Sequence, residues 1–329
     1  MSKYWIKINY LFWLTLHTVF IKLKLQKHLF KNRYGERILV FHGINQNEKN
    51  IFNSKFISVS YFEKIIQYLT THFNVISLDD FYDKKFKKNT LNIAITFDDG
   101  YANNYKYAIP ILEKYEIPAH FFITTIHQNN DYLWADFIDL VSYFTSKTKI
   151  IFDGITYTKS KNDFLSNGMT LKTVLKSHSF DKIKEIYTVF EEDWKDIQQK
   201  DLNDYWQLMS LEQIQSIHKN ALFSIGSHSH THSNLCTIPL DEAKKEIVIS
   251  KFILEEICKT NIKTFAFPFG YYSDELLAYC TSIGFEKILL VDYTTTYGKN
   301  NPYTQSRFVI NPYISLENQI AFLLKGSYF

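Results

Sequence analysis

Two clusters of side chains in this sequence are placed to do chemistry together. Asp98 and Asp99 stand side by side directly after the apolar run Ile93–Phe97, and His228, His230 and His232 fall within five residues of one another after Leu222–Gly226. Adjacent acids are common in solvated turns. At the end of a buried strand each carboxylate instead needs a partner or a cation to offset its desolvation. Two histidines four residues apart can converge on one cation from a helical turn or a tight loop. Three of the chain's 11 histidines in one pentapeptide exceed what packing asks for. Two histidines and one carboxylate make three protein ligands, the number a catalytic zinc site uses while keeping a position for water. One aspartate then completes the ligand set and the other stays free as a base.

Both clusters follow strands, and two further strand ends carry candidates. Ile38–Phe41 runs into His42-Gly43, and Thr264–Phe267 runs into Pro268-Phe269-Gly270. Taken alone, His42 reads better as a packed core histidine. Strand patterns at 38–41, 74–78, 93–97, 119–124, 222–225, 263–267 and 287–291 alternate with helical ones. The helices start with a capping box at Ser60-x-x-Glu63 running to about His72, then cover 101–115, 210–219 with a second capping box at Ser210-x-x-Gln213, 240–258 and 273–282. Strands separated by helices imply an α/β fold with a mostly parallel sheet, either doubly wound or closed into a barrel. Such folds hold their sites beyond the C-terminal strand ends. From about 128 to 204 the pattern loosens, with polar turns at Asp153-Gly154 and Asn167-Gly168 and a charged, helix-like stretch from Asp181 to Lys200, which reads as an insertion. The expected organisation is an N-terminal apolar or amphipathic helix over 1–36 and a catalytic domain over 37–329, interrupted at 128–204.

Composition narrows the classes. In 329 residues, 46% hydrophobic and 17% aromatic content against 22% charged supplies a large core and excludes global disorder. A net charge of +3 without a basic block excludes the electrostatic footprint of a nucleic-acid binder. Cys236, Cys258 and Cys280 are odd in number and lack a C-x-x-C pair, which excludes a disulfide framework and a structural zinc module. Glycine is scarce, and four of the ten, Gly43, Gly100, Gly226 and Gly270, sit at the four strand ends named above. Near the N-terminus Lys3 and Lys7 precede the apolar stretch Tyr10–Ile21, and Lys22, Lys24 and Lys27 follow it. The stretch is shorter than the roughly 18 residues of a spanning helix, and no small-residue cleavage site follows. A helix lying on a membrane surface through residues 5–27, or one docked on the protein's own core, are the two expectations. The chain is expected in the cytoplasm or peripherally at a membrane rather than exported.

Thr96-Phe97-Asp98-Asp99-Gly100 and His228-Ser229-His230-Thr231-His232 resemble the first two motifs of the polysaccharide deacetylases, the NodB-like members of carbohydrate esterase family 4. Phe265-Ala266-Phe267-Pro268-Phe269-Gly270 is similar to the third. The resemblance runs from Ile38 to Asn311 outside the insertion. It implies a distorted barrel of about seven mostly parallel strands and a metal-dependent removal of acetyl groups from an acetylated glycan, a polysaccharide or its precursor. It also implies Asp98 as general base and Asp99, His228 and His232 as ligands of Zn2+ or another divalent metal. An oxyanion contact is implied near Pro268 and Phe269, and His230 falls at a variable position. Leu39-Val40-Phe41-His42-Gly43 resembles the start of a circularly permuted branch, which would make His42 the general acid. The family's arginine before the third-motif proline is missing between Lys263 and Pro268, and Arg307 is a candidate to replace it and orient the base, with a surface role as the alternative. Trp134 is a candidate to stack on a sugar ring, with a core role as the alternative, and Asp292 ends a strand close enough to be considered. The family's Asp-Trp pair is absent. These departures leave open a glycan-binding protein without turnover, and a metal-dependent amidase on a small non-sugar substrate. No residue pattern bears on the oligomeric state.

Overall fold

The computed structural model describes residues 3–23, 34–46, 51–128, 130–291 and 302–328. Lys24, Lys27 and Asp292 lie outside the described residues. Seven strands carry the fold: β1 (Gly35–Phe41), β2 (Leu91–Phe97), β3 (Ala119–Ile123), β4 (Phe223–Ser227), β5 (Thr264–Ala266), β6 (Lys287–Val291) and β7 (Thr304–Val309). They pair in parallel in the order β1-β7-β6-β5-β4-β3-β2, and β2 pairs back onto β1 over seven residues, from Gly35↔Leu91 to Phe41↔Phe97. The result is a closed, distorted (β/α) barrel of seven parallel strands, with Asn74–Val75 added outside β2. β2 shows why closure suits the sequence. All seven of its residues, Leu-Asn-Ile-Ala-Ile-Thr-Phe, are buried, as in a strand covered on both faces.

Alternation along the strands separates two apolar layers. Leu39, Ile95, Phe121, Phe265 and Leu290 join a large outer core shared with helix residues such as Phe62, Ile65 and Leu254. Their neighbours Ile38, Ala94, Phe122, Ala266 and Leu289 face inward, in a small cluster closed by Leu78 and Phe81. Gly226 belongs to that crowded interior. A Cβ there would lie 2.2 Å from Thr264 Oγ1 and 2.6 Å from His120 Nε2, so only glycine fits.

Three local expectations change. The helix expected from Ser60 starts at Val59 and is capped by Ser58, whose hydroxyl accepts from the Tyr61 N–H, while Glu63 pairs with Lys114 instead of closing a capping box. The strand expected at 74–78 is only two residues long, because Ser77 caps a short helix, Leu78–Tyr82, that plugs the barrel with Leu78 and Phe81. The helix expected from Tyr101 begins as a π-helical turn at Asn104–Ala108 and continues as Ile109–Lys114, with Tyr101 itself bridged to Leu208. The Ser210–Gln213 capping box is present as expected.

The stretch at 128–204 is more ordered than its sequence pattern indicates. It holds the helix Trp134–Phe144, an antiparallel four-stranded sheet from Lys149 to Thr170, and helices at Leu171–Leu175, Phe180–Val189 and Glu191–Gln198. Asp153-Gly154 and Asn167-Gly168 are two of its three hairpin turns, all four residues having positive φ; the third is at Lys161-Asn162. Its residues share a second core around Trp134, Phe137, Phe190 and Trp194. The first helix, Lys3–Lys22, packs on the last, Leu316–Lys325, burying His17 and Ile21. His17 meets Phe322 at 5.2 Å, and Asn318 Nδ2 donates to Thr18 Oγ1 at 3.2 Å. Phe12, Trp13, Val19 and Leu23 remain exposed. No helix among the described residues is long and apolar enough to cross a membrane.

Candidate active site

The site grows out of the C-terminal strand tips. Past β2 the Asp98 N–H donates to Phe41 O at 3.0 Å, extending the β1–β2 pairing by one step and setting His42 at the same rim. Asp99 (φ 78) and Gly100 (φ 85) then turn the chain through left-handed conformations. Ser229, His232 and Phe269 also have positive φ. Backbone strain of this kind persists where the surroundings over-determine it, and here it aims side chains inward.

Asp99 Oδ1 lies 3.3 Å from His228 Nε2 and 3.1 Å from His232 Nε2. One ligand atom from each residue falls within 4.8 Å of the others, and all three residues are buried. Yet Asp99 Oδ1 makes no hydrogen bond. His228 explains why: its Nδ1–H donates to Ala266 O at 2.8 Å, so Nε2 turns a lone pair, not a proton, toward the carboxylate. A buried oxygen without a donor, facing the bare Nε2 of His228, lacks a positive centre, and the donor set of Asp99, His228 and His232 fits a divalent cation.

The loop carrying both histidines is fastened from behind. Glu246, on the helix Leu240–Cys258, accepts from the His230 N–H (3.1 Å), the Thr231 N–H (2.7 Å) and the Thr231 hydroxyl (2.7 Å). The indole of Trp134 donates to His232 O at 3.2 Å. His230 points elsewhere, with Nδ1 2.8 Å from Thr125 Oγ1, and takes no place in the trio.

Asp98 is held by a fork. Arg307, fully buried on β7, donates Nη1 to Oδ1 at 2.6 Å and Nη2 to Oδ2 at 2.7 Å, and its guanidinium lies over the Phe122 ring. Burial would raise the Asp98 carboxyl, and Arg307 followed by His228 brings it below its ordinary value. Burial, then the Lys55 ammonium, pushes His42 down to about 3 against the opposing pull of Asp99 and Asp98.

A cavity of about 660 Å³ opens above the trio. His42, Asp98 and Phe269 line it, and Val40, Val291 and Val309 give it an apolar side. Phe269 (φ 58) sets its ring 4.7 Å from His232 over the buried Pro268. Trp134 does not offer a face to a sugar: its side chain is fully buried and spent on supporting His232. Four lining or supporting residues carry no sequence signal: Glu246, Asp136, Lys55 and Lys176. Asp136 accepts from Tyr101 Oη (2.7 Å) and Asn53 Nδ2 (2.9 Å), and burial raises it to about 7. They come from distant elements, with no spacing that links them to the motifs.

A model of the polysaccharide deacetylase family matches residues 85–288, more than half of the chain. The chain belongs to the polysaccharide deacetylase family. The match takes in Asp98, Asp99, His228 and His232, while His42 and Arg307 come from outside it. Among curated proteins the chain is similar to the poly-beta-1,6-N-acetyl-D-glucosamine N-deacetylases of Staphylococcus aureus strains MSSA476 and MRSA252, each 42% identical over 74 residues, 22% of this chain and 26% of theirs. The chain thus spans about a quarter of the length of these relatives. Among solved structures it resembles the Streptococcus pyogenes deacetylase PplD in complex with acetate (16% identity, 87% of this chain and 96% of that one, TM-score 0.54). It also resembles IcaB from Ammonifex degensii (15% identity, 89% and 97%, TM-score 0.55). At these identities the likeness is one of fold, the NodB-like barrel.

Proposed function

We propose that the chain is a metal-dependent deacetylase that hydrolyses the acetamide of an N-acetylated glycan. The observation that carries this reading is the buried Asp99–His228–His232 trio with an unsatisfied carboxylate oxygen, beside an Asp98 fixed by Arg307. A divalent cation, Zn2+ by donor type, would supply Lewis-acid polarisation of the acetyl carbonyl and of water. Asp98, kept ionised and aimed by Arg307, takes a proton from the attacking water. As the C–O bond forms and the C–N bond breaks, the leaving nitrogen needs that proton back. His42, neutral at rest, relays it from Asp98. The Phe269 N–H, presented by a left-handed turn, donates to the oxygen that gains charge. Val40, Val291 and Val309 form an apolar side suited to the acetyl methyl. The buried Arg307 fork favours turnover over a binding-only protein, since an oriented, ionised base has no use in mere binding.

The test is acetate release from a β-1,6-linked N-acetylglucosamine oligomer, the sugar for which the Staphylococcus relatives are named. Release that stops on chelation and returns with Zn2+ supports the reading; no release from any acetylated glycan with the metal restored removes it. We also infer that the first helix faces a membrane surface, because Phe12, Trp13, Val19 and Leu23 stay exposed on a segment bearing Lys3, Lys7 and Lys22. Co-sedimentation with vesicles rich in anionic phosphatidylglycerol should fall markedly in Phe12→Ser/Trp13→Ser, and equal sedimentation would refute the inference.

A further inference from the structure

Three lysines converge on one wall of the cavity. Lys55, from the segment after β1, and Lys172 and Lys176, from the 128–204 stretch, all line it. The carboxylates around them have other places: Asp98 is held by Arg307, Asp139 by Lys172 at 2.5 Å, Asp136 accepts from Tyr101 and Asn53, and Asp99 belongs to the trio with the two histidines. Lys55 and Lys176 have no carboxylate within 4.0 Å among the described residues. Both are nevertheless anchored. The Lys55 N–H donates to Asn53 Oδ1 at 3.0 Å, and Asn53 is itself tied to Asp136. Lys176 O accepts from the Thr237 hydroxyl at 3.0 Å, and its ammonium stands 4.9 Å from the centre of Phe269, the ring that packs on His232.

The cations act on one another. Burial lowers the half-buried Lys176 ammonium, and Lys172 and Lys55 lower it further. Lys55 lines the same cavity as His42 and His232. A neutral acetylated glycan would offer these ammonium groups only hydroxyl and carbonyl oxygens in place of water, with no opposite charge. An acidic group on the glycan would relieve their repulsion and form charge-assisted hydrogen bonds.

We propose that Lys55 and Lys176 form an anion-binding subsite beside the acetyl site, and that the preferred glycan carries a carboxylate or phosphate on or next to the sugar that loses its acetyl group. The inference rests on the deacetylase reading for its location, and its test separates the two. Binding is measured by calorimetry in two matched pairs: a hyaluronan tetrasaccharide against chitotetraose for the carboxylate, and N-acetylglucosamine 1-phosphate against N-acetylglucosamine for the phosphate. The subsite predicts that at least one acidic probe binds about ten-fold or more tightly than its neutral counterpart. That preference should collapse at high salt and in Lys55→Gln/Lys176→Gln, with neutral binding unchanged; the pair that shows it identifies the acid. Equal binding within both pairs, or a preference that survives the double substitution, overturns the proposal. Acetate release from chitotetraose is followed in parallel. Release without acidic preference leaves the deacetylase and removes the subsite, whereas acidic preference without release from any probe or from the β-1,6-linked oligomer keeps the subsite and removes the hydrolytic reading.

Discussion

Asp98 receives two hydrogen bonds from one arginine, and that geometry sets what a conservative change should do. Lysine is a point charge and cannot make the fork. Arg307→Lys should therefore lower acetate release by about ten- to a hundred-fold while leaving metal content unchanged. Arg307 lowers the Asp98 carboxyl, so weakening it should move the acid limb of the pH–rate profile upward, because the base then protonates at higher pH. An unchanged rate and limb would show that Arg307 has no part in setting the base. At this scale the sequence was most legible. The pairing of acids with closely spaced histidines is a local pattern, and the structure gathers Asp99, His228 and His232 as that pattern requires. Arg307 was only a candidate, since its partner is 209 residues away and nothing in its own neighbourhood points to it. Trp134 went the other way: an aromatic side chain in an apolar run gives no sign of whether its face or only its N–H is used.

Elements position these residues by holding their loops. The loop 228–232 depends on Glu246, which meets three donors from a helix packed behind it. Glu246→Gln keeps the size but loses charge and acceptor capacity. Metal affinity, read by competition with a chromogenic chelator, should fall about 10–100-fold, as when outer-shell partners of metal ligands are changed. An unchanged affinity would mean that the loop holds its shape without Glu246. Helix and strand periodicity made most of the barrel legible, including Leu240–Cys258 and Lys287–Val291 with their bounds as read. It failed where a cap or a short-range contact decides, as at Ser58 and Ser77. It also failed across 128–204, where apolar residues such as Ile151 and Ile155 lie on the exposed side of the hairpins and blur the alternation that a half-buried strand would show.

For the whole molecule, the polar barrel interior couples stability to pH. His120 is buried between Ser224 Oγ (2.6 Å) and Thr264 Oγ1 (2.8 Å), and burial pushes its imidazole from 6.5 down to about 3. The unfolded chain therefore binds a proton that the fold refuses between those values, and stability should fall by up to about 1.4 kcal/mol per pH unit below 6.5. Asp136, raised to about 7, has the opposite sign and nearly cancels the His120 slope between 6.5 and 3.8, while His42, lowered to about 3, adds a second slope of the same sign as His120. His120→Gln, which keeps a donor and an acceptor, isolates the histidine: denaturant unfolding should show a shallower slope between pH 6.5 and 4 than the parent, and parallel slopes would contradict the assignment.

The central claim is that one buried trio holds a cation while a separate aspartate supplies the base. It is tested most directly by measuring metal content and acetate release together on the parent chain and on Asp98→Asn, after chelation and Zn2+ restoration. The account predicts one equivalent of metal in both proteins, acetate from the restored parent alone, and a rate for Asp98→Asn lower by about 10²- to 10⁴-fold. Full acetate release from Asp98→Asn, or from the parent stripped of metal, would contradict it.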